Sequence, residues 1–161
     1  MEQKYSASMD TVFALLTNPK WLKARSAALG ELSASIKAKK SGGGIAITME
    51  RRVKRDLPAL VARVMSSEAD LVFEEIWAPD ANGGRSGTLT MDAVGQPVKM
   101  TATFELIATG KGCVYRITHK CKSSVPLIGG TVEKFALGQV KSACEDEFAY
   151  LVEYIKKNKV Q

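Results

Sequence analysis

In residues 126–158, PLIGGTVEKFALGQVKSACEDEFAYLVEYIKKN, a proline and two glycines interrupt the preceding pattern and a helical repeat begins. Val132, Phe135, Ala136, Val140, Ala143, Cys144, Phe148, Leu151, Val152 and Ile155 recur at three- and four-residue steps. Lys134, Lys141, Glu145 and Lys156 fall on the opposite side. From Thr131 to Asn158 the pattern predicts one helix of about 40 Å, long enough to cross a small sheet.

Upstream of this helix the period is two. Leu32, Ala34, Ile36 and Ala38, then Ile45, Ile47, Met49 and Val53, predict a hairpin turning at Gly42-Gly43-Gly44 with one apolar face. Strands follow at Leu71 to Ala78, Ser86 to Ala93, Val98 to Ala108 and Cys113 to Val125. Asn82-Gly83-Gly84, Gly95-Gln96-Pro97 and Gly110-Lys111-Gly112 separate them as turns, so neighbours should pair antiparallel. Asp56 to Met65, with Pro58, reads either as a short helix or as an irregular crossing. Before the hairpin, Tyr5 belongs to a short first strand. Ser8 or Asp10 then caps a helix carrying Val12, Phe13, Leu15 and Leu16, and Trp21, Leu22, Ala24 and Arg25 form a second helix between Pro19 and Gly30.

The expected architecture is α+β: an antiparallel sheet of about seven strands curved around a long C-terminal helix, with two short helices after the first strand. The 161 residues, 45% of them hydrophobic, suit a single domain spanning 1–161. No segment reaches the roughly 20 apolar residues of a membrane span, and Met1 to Asp10 has no signal-peptide pattern, so a cytoplasmic protein is expected. The three cysteines lack metal-ligand spacing and read as reduced thiols. With a formal charge of +6, basic groups gather at Arg51, Arg52, Lys54 and Arg55, at Lys37, Lys39 and Lys40, and at Lys156, Lys157 and Lys159. No aromatic residues interleave with them and no nucleic-acid motif is present, so nucleic acid is not an expected partner. The clusters read as a solvated surface or as a peripheral contact for an anionic membrane.

This order of elements, together with Arg55-Asp56-Leu57-Pro58, Glu75-Ile76-Trp77, Gly95-Gln96-Pro97-Val98 and Val125-Pro126-Leu127-Ile128-Gly129-Gly130, resembles the START-like helix-grip (SRPBCC) superfamily of lipid-transfer, polyketide-cyclase and pollen-allergen-like proteins. Within it the chain looks most like an uncharacterised bacterial family. The resemblance implies a seven-stranded sheet gripping the final helix around an apolar cavity. It implies no fixed catalytic residues, and no catalytic motif carries over.

The period-two faces supply the candidate ligand-binding residues: Met49 and Arg51; Phe73, Glu75 and Trp77; Leu89 and Met91; Met100 and Phe104; Tyr115, Ile117 and His119. Phe135 and Gln139 join them from the helix. Arg51, Glu75 and His119 are polar groups in phase with apolar neighbours, and an inward polar group needs a partner, a water or a ligand. Arg51 suits a carboxylate or phosphate head group, with Glu75 and His119 pairing with it or with a ligand hydroxyl. The competing account is a structural Arg51–Glu75 ion pair, or a register shift that turns these groups outward. Gly129 and Gly130 stand at the cavity mouth. Gly138 either admits a close approach of sheet or ligand or is simply a tolerated weak helix former.

The expected function is binding or transport of a small hydrophobic or amphipathic molecule, lipid-like or polycyclic, between sheet and helix, with access governed by the loops at Asp56 to Met65 and Pro126 to Gly130. Neither a metal nor a cofactor is expected. The alternatives are a cyclase or dehydratase using Glu75 or His119, and a protein or membrane interaction module with a filled cavity. Nothing in the sequence fixes the oligomeric state.

Overall fold

The computed structural model describes residues 1–79 and 83–159; Asn82 of the expected Asn82-Gly83-Gly84 turn lies outside them. The elements are β1 (Glu2–Tyr5), α1 (Met9–Leu16), α2 (Pro19–Ala28), β2 (Ser33–Ser41), β3 (Gly44–Lys54), β4 (Glu68–Trp77), β5 (Gly84–Ala93), β6 (Val98–Thr109), β7 (Gly112–Ser123) and α3 (Gly129–Asn158). The 55–67 crossing holds a single 3₁₀ turn at Val61–Arg63.

All seven strands form one sheet in the order β1-β7-β6-β5-β4-β3-β2, each neighbour antiparallel. The consecutive strands β1 and β2 therefore occupy opposite edges, and α1 and α2 carry the chain between them. Ser8 caps α1 by accepting from the Thr11 N–H, and Asn18 caps α2 with Pro19 in its first turn. Gly42 and Gly43, at φ of 56° and 82°, make the two-residue turn joining β2 and β3, a left-handed pair that twisted hairpins favour. The apolar face predicted for β2 is covered only in its middle: Leu32, just before its start, is exposed and Ala34 is half-buried. Ile36 is half-buried but Ala38 is exposed, because this edge strand runs beyond the cover of the helices.

α3 is 30 residues long, about 45 Å, and begins two residues earlier than the periodicity indicates. Its ends are buried and its middle is not: Val132 and Ala136 are covered at one end, Phe148, Leu151 and Ile155 at the other, while Val140, Ala143, Cys144 and Glu147 are half-buried between. Two core clusters account for this. One joins Trp21, Leu22, Trp77, Phe104, Tyr115, Phe148 and Leu151, and the other joins Val53, Met91, Met100, Val132 and Ala136. Phe73 and Leu89 touch both, marking a seam under the middle of the helix. This is a helix-grip-like α+β fold.

Candidate ligand cavity

A cavity of about 100 Å³ occupies the seam. Strand alternation builds its floor. In register, Met49 opposes Phe73, Phe73 opposes Met91 and Met91 opposes Met100, so these side chains share the face turned to α3. Glu75 and Trp77 continue that face along β4, and Tyr115, Ile117 and His119 along β7; all line the cavity, as do Arg51 and Leu89.

Three of the sequence candidates lie elsewhere. Phe104 is buried in a ring stack, 4.6 Å from Trp77 and 6.1 Å from Tyr115 between centroids. Gly87 makes room for it, since a Cβ there would come within 2.5 Å of the Phe104 ring. Phe135 lines a separate apolar hollow of about 30 Å³ with Leu57 and Met65. Gln139 faces an outer cleft of about 200 Å³ between α3 and the Leu29–Glu31 turn. Both sit at the margin of the helix stripe, where a rotation of about 100° per residue takes a side chain off the central face. Gly138 is exposed with open space around it, so neither sheet nor ligand approaches it there.

Arg51 is buried as its phase predicts, but its partners are neither Glu75 nor His119. Its Nε donates to Glu31 at 2.8 and 2.9 Å, its Nη2 donates to Glu31 as well, and Nη2 also donates to Glu147 Oε1 at 2.9 Å. Glu147 Oε2 is in turn 3.2 Å from Arg25 Nη1. An Arg51–Glu75 pair is ruled out by register: Arg51 opposes Leu71, four residues from Glu75, a separation of about 13 Å along a strand. Gly30, at φ 79°, ends α2 and aims Glu31 at β3, with the Glu31 N–H bonded to the Ser26 carbonyl. Burial alone would push the Arg51 guanidinium down; Glu147 and Glu31 more than reverse this. Burial likewise raises Glu147, but Arg25 and Arg51 outweigh it and hold the carboxyl below its ordinary value. The four groups balance one another in charge, so Arg51 brings no uncompensated charge to a head group.

Glu75 is different. Its one hydrogen-bond partner among the described residues is the Trp77 indole N–H, on the same face two residues along β4. Burial pushes its carboxyl up to about 7, against the indole bond and the charge of Arg25, which lower it. What protein does not cover of Glu75 faces the cavity. Near it, Tyr115 makes no hydrogen bond among the described residues, and burial, helped by Glu75, pushes its phenol well above the ordinary range. His119 Nε2 lies 4.0 Å from Cys144 Sγ, and burial lowers the imidazole, keeping it neutral at pH 7. Burial also pushes the Cys144 thiol up to about 12, the opposite of an activated nucleophile. This part of the wall is therefore largely apolar, with Glu75, Tyr115 and His119 able to donate or accept one or two hydrogen bonds.

The sequence reading missed Arg25, Glu31, Arg55 and Glu147. A signal for two of them exists: Glu147 falls four residues after Ala143 and four before Leu151 on the α3 stripe, and Arg25 is in phase with Trp21 and Leu22. The dense basic run is also not a patch. Arg51 points in, whereas Arg52 points out and pairs with Glu68 and Asp70. Among the described residues there is no metal-binding cluster and no helix long and apolar enough to cross a membrane.

A family model described as "Protein of unknown function (DUF2505)" matches residues 1–155. No curated protein matches. Among solved structures, the chain is similar to an uncharacterised protein from Rhizobium leguminosarum, with a TM-score of 0.61 and 12% identity over 98% of this chain and 92% of that one. It is also similar to a conserved protein from Geobacillus kaustophilus, with a TM-score of 0.54 and 14% identity over 98% and 92%. A protein from Chromobacterium violaceum follows, with a TM-score of 0.50 and 20% identity over 95% and 94%. At these identities the likeness is one of fold.

Proposed function

The chain belongs to the DUF2505 family, and for it we propose that the domain binds a small amphipathic molecule in the seam between sheet and α3. The observation that carries this reading is Glu75: a carboxyl turned into an apolar hollow, with one indole partner and capacity left over. A core that existed only for packing would be more stable with an apolar side chain there. Ligand binding would bury the guest's apolar body, worth about 25 cal/mol per Å² before the entropy of association is subtracted, while Glu75, Tyr115 or His119 fixes its polar end.

Size narrows the class. A cavity of about 150 Å³ suffices for a benzene-sized guest. The space of about 100 Å³ here suits a short-chain or single-ring compound after small side-chain shifts. An acyl lipid or a polycycle requires the loops at 55–67 and 126–128 to part. What supports a START-like relationship is the order of one strand, two helices, six strands and a long gripping helix, with the cavity between.

Methyl NMR of Met91, Met100 and Leu89 during titration with phenol tests the reading. Saturable shifts are expected in the native protein and none in Val140→Phe, which places a ring in the seam. The absence of shifts in the native protein, or equal shifts in both, contradicts it. A second reading, a cyclase- or dehydratase-type enzyme, has the poise of Glu75 near 7 in its favour, the range a general acid or base needs at neutral pH. Under that reading Glu75→Gln abolishes turnover of a bound substrate but spares its binding. Salt-sensitive attachment to anionic vesicles without ligand uptake would instead favour a filled interaction module.

A further inference from the structure

Three arginines face the cavity, and two of them are ion-paired, although the buried Arg25 Nε itself has no hydrogen-bond partner among the described residues. Arg25 and Arg51 share Glu147, and Arg51 also holds Glu31. Arg55, one residue beyond the end of β3, lines the central cavity, the outer cleft and the small apolar hollow alike. It is half-buried, and its guanidinium makes no hydrogen bond or ion pair among the described residues; only its backbone N–H is engaged, with the Ser67 carbonyl at 2.9 Å. Glu31 and Glu147 bond the other two arginines, so Arg55 feels a carboxylate only through space, from Glu31, and holds no direct ionic partner at the mouth among the described residues. Burial and the repulsion of Arg51 lower its affinity for a proton, against a smaller opposing pull from Glu31.

We propose that Arg55 receives the carboxylate of a small amphipathic acid whose apolar body lies in the central cavity. This rests on the cavity reading above and names the ligand class. A guanidinium withdrawn from water gains most from a planar anion that takes two of its N–H donors at once. The lining next to Arg55 is apolar and adaptable: Leu71, Met91, Met100 and Val140 belong to the same cavity, and Met side chains adjust to a guest. The opposite end is set by Glu75, which opposes Ile47, eight residues before Arg55, or about 26 Å of extended chain. Arg55 and Glu75 nevertheless line the same cavity, because the long Arg55 side chain shortens that span. The charged head thus stays at the mouth and the tail points toward the wall of Glu75 and Tyr115, where the Glu75 carboxyl, once ionised, repels a second anion. Arg51, the head-group residue expected from sequence, is replaced in that role by Arg55, four residues further along the chain.

Isothermal titration of the full chain with hexanoate and with hexanamide, the same tail without the charge, decides the matter. The native protein is expected to bind hexanoate at least about tenfold more tightly than hexanamide. Arg55→Gln should lower hexanoate affinity by at least about tenfold and leave hexanamide affinity within about twofold. Arg55→Lys should fall between, and Arg52→Gln, on the outer face, should bind as the native chain does. Equal binding of the two compounds by the native protein overturns the role of Arg55 and leaves the cavity reading intact, and this ratio needs no variant to fold. Undiminished hexanoate binding by a folded Arg55→Gln also overturns it. Failure of the native chain to bind either compound overturns both readings.

Discussion

The two core clusters hold α3 by different means. At the C-terminal end of the helix, aromatic rings interlock: Phe13 meets Trp77 edge-on at 5.0 Å, Trp77 lies 4.6 Å from Phe104, and Tyr115 meets Phe148 edge-on at 5.9 Å. At the N-terminal end the packing is Val53, Met91, Met100, Val132 and Ala136, beside the 55–67 crossing and the Leu127 turn. Rings with few rotamers fix a surface, whereas unbranched methionines and small residues accommodate change. Leu127 adds to the contrast, because it is fully exposed at φ 64°, a conformation costing about 1–2 kcal/mol for a residue with a Cβ. The comparison locates the rigid part of the grip at the Trp77 end and the adjustable part beside Arg55.

The largest expected effect tests that division. Trp77→Ala should destabilise the domain by about 4 kcal/mol in denaturant unfolding, while Met100→Leu should cost less than about 1.5 kcal/mol. Equal losses would erase the distinction.

Next is the buried network that ties α2, β3 and α3 across the seam. Glu147→Gln leaves Arg25 and half of Arg51 without a counter-charge and should cost about 3 kcal/mol at pH 7. Because the Glu147 carboxyl is held below its ordinary 4.5, its contribution is present above pH 4.5 and lost as pH falls through the lower folded value. The variant should therefore show a flatter acid limb in a plot of stability against pH.

Glu75 carries the opposite sign. Its folded value of about 7 lies above the ordinary 4.5, so the folded state binds the extra proton and loses stability as pH rises through that window. Glu75→Gln keeps an acceptor for the Trp77 indole and removes the ionisation. It should leave stability unchanged below pH 4.5 and raise it by up to about 3 kcal/mol above pH 7. A decrease at high pH would mean that the carboxylate is favourably held in the folded chain. The smallest effect belongs to Arg52→Gln, whose exposed ion pairs with Glu68 and Asp70 should leave the melting temperature unmoved.

Alternation made the sheet legible from sequence. Ile47, Met49, Arg51 and Val53 had to share a face, and that face is buried. The long helix was equally plain from its stripe, apart from its start. The partners of Arg51 were not legible, because Glu31 and Glu147 lie 20 and 96 residues away in sequence and meet it only through the fold. Arg55 was hidden for another reason: it stands just past the strand, where period two no longer dictates direction. Phe104 shows the limit of face assignment, since it shares the inner face but is covered by neighbouring rings. The split of the core into two clusters with a seam between them depends on side-chain volumes meeting across the sheet, which no single stretch of sequence encodes.

The central claim is that the seam holds a guest, and native mass spectrometry of the purified chain tests it most directly. Spectra would be recorded before and after addition of hexanoate, for the native protein and for Val140→Phe. The account predicts one small molecule per native chain, retained from expression or taken up on addition, and none in the variant. A native chain that carries nothing and takes up nothing, or an adduct that Val140→Phe retains equally, would contradict it.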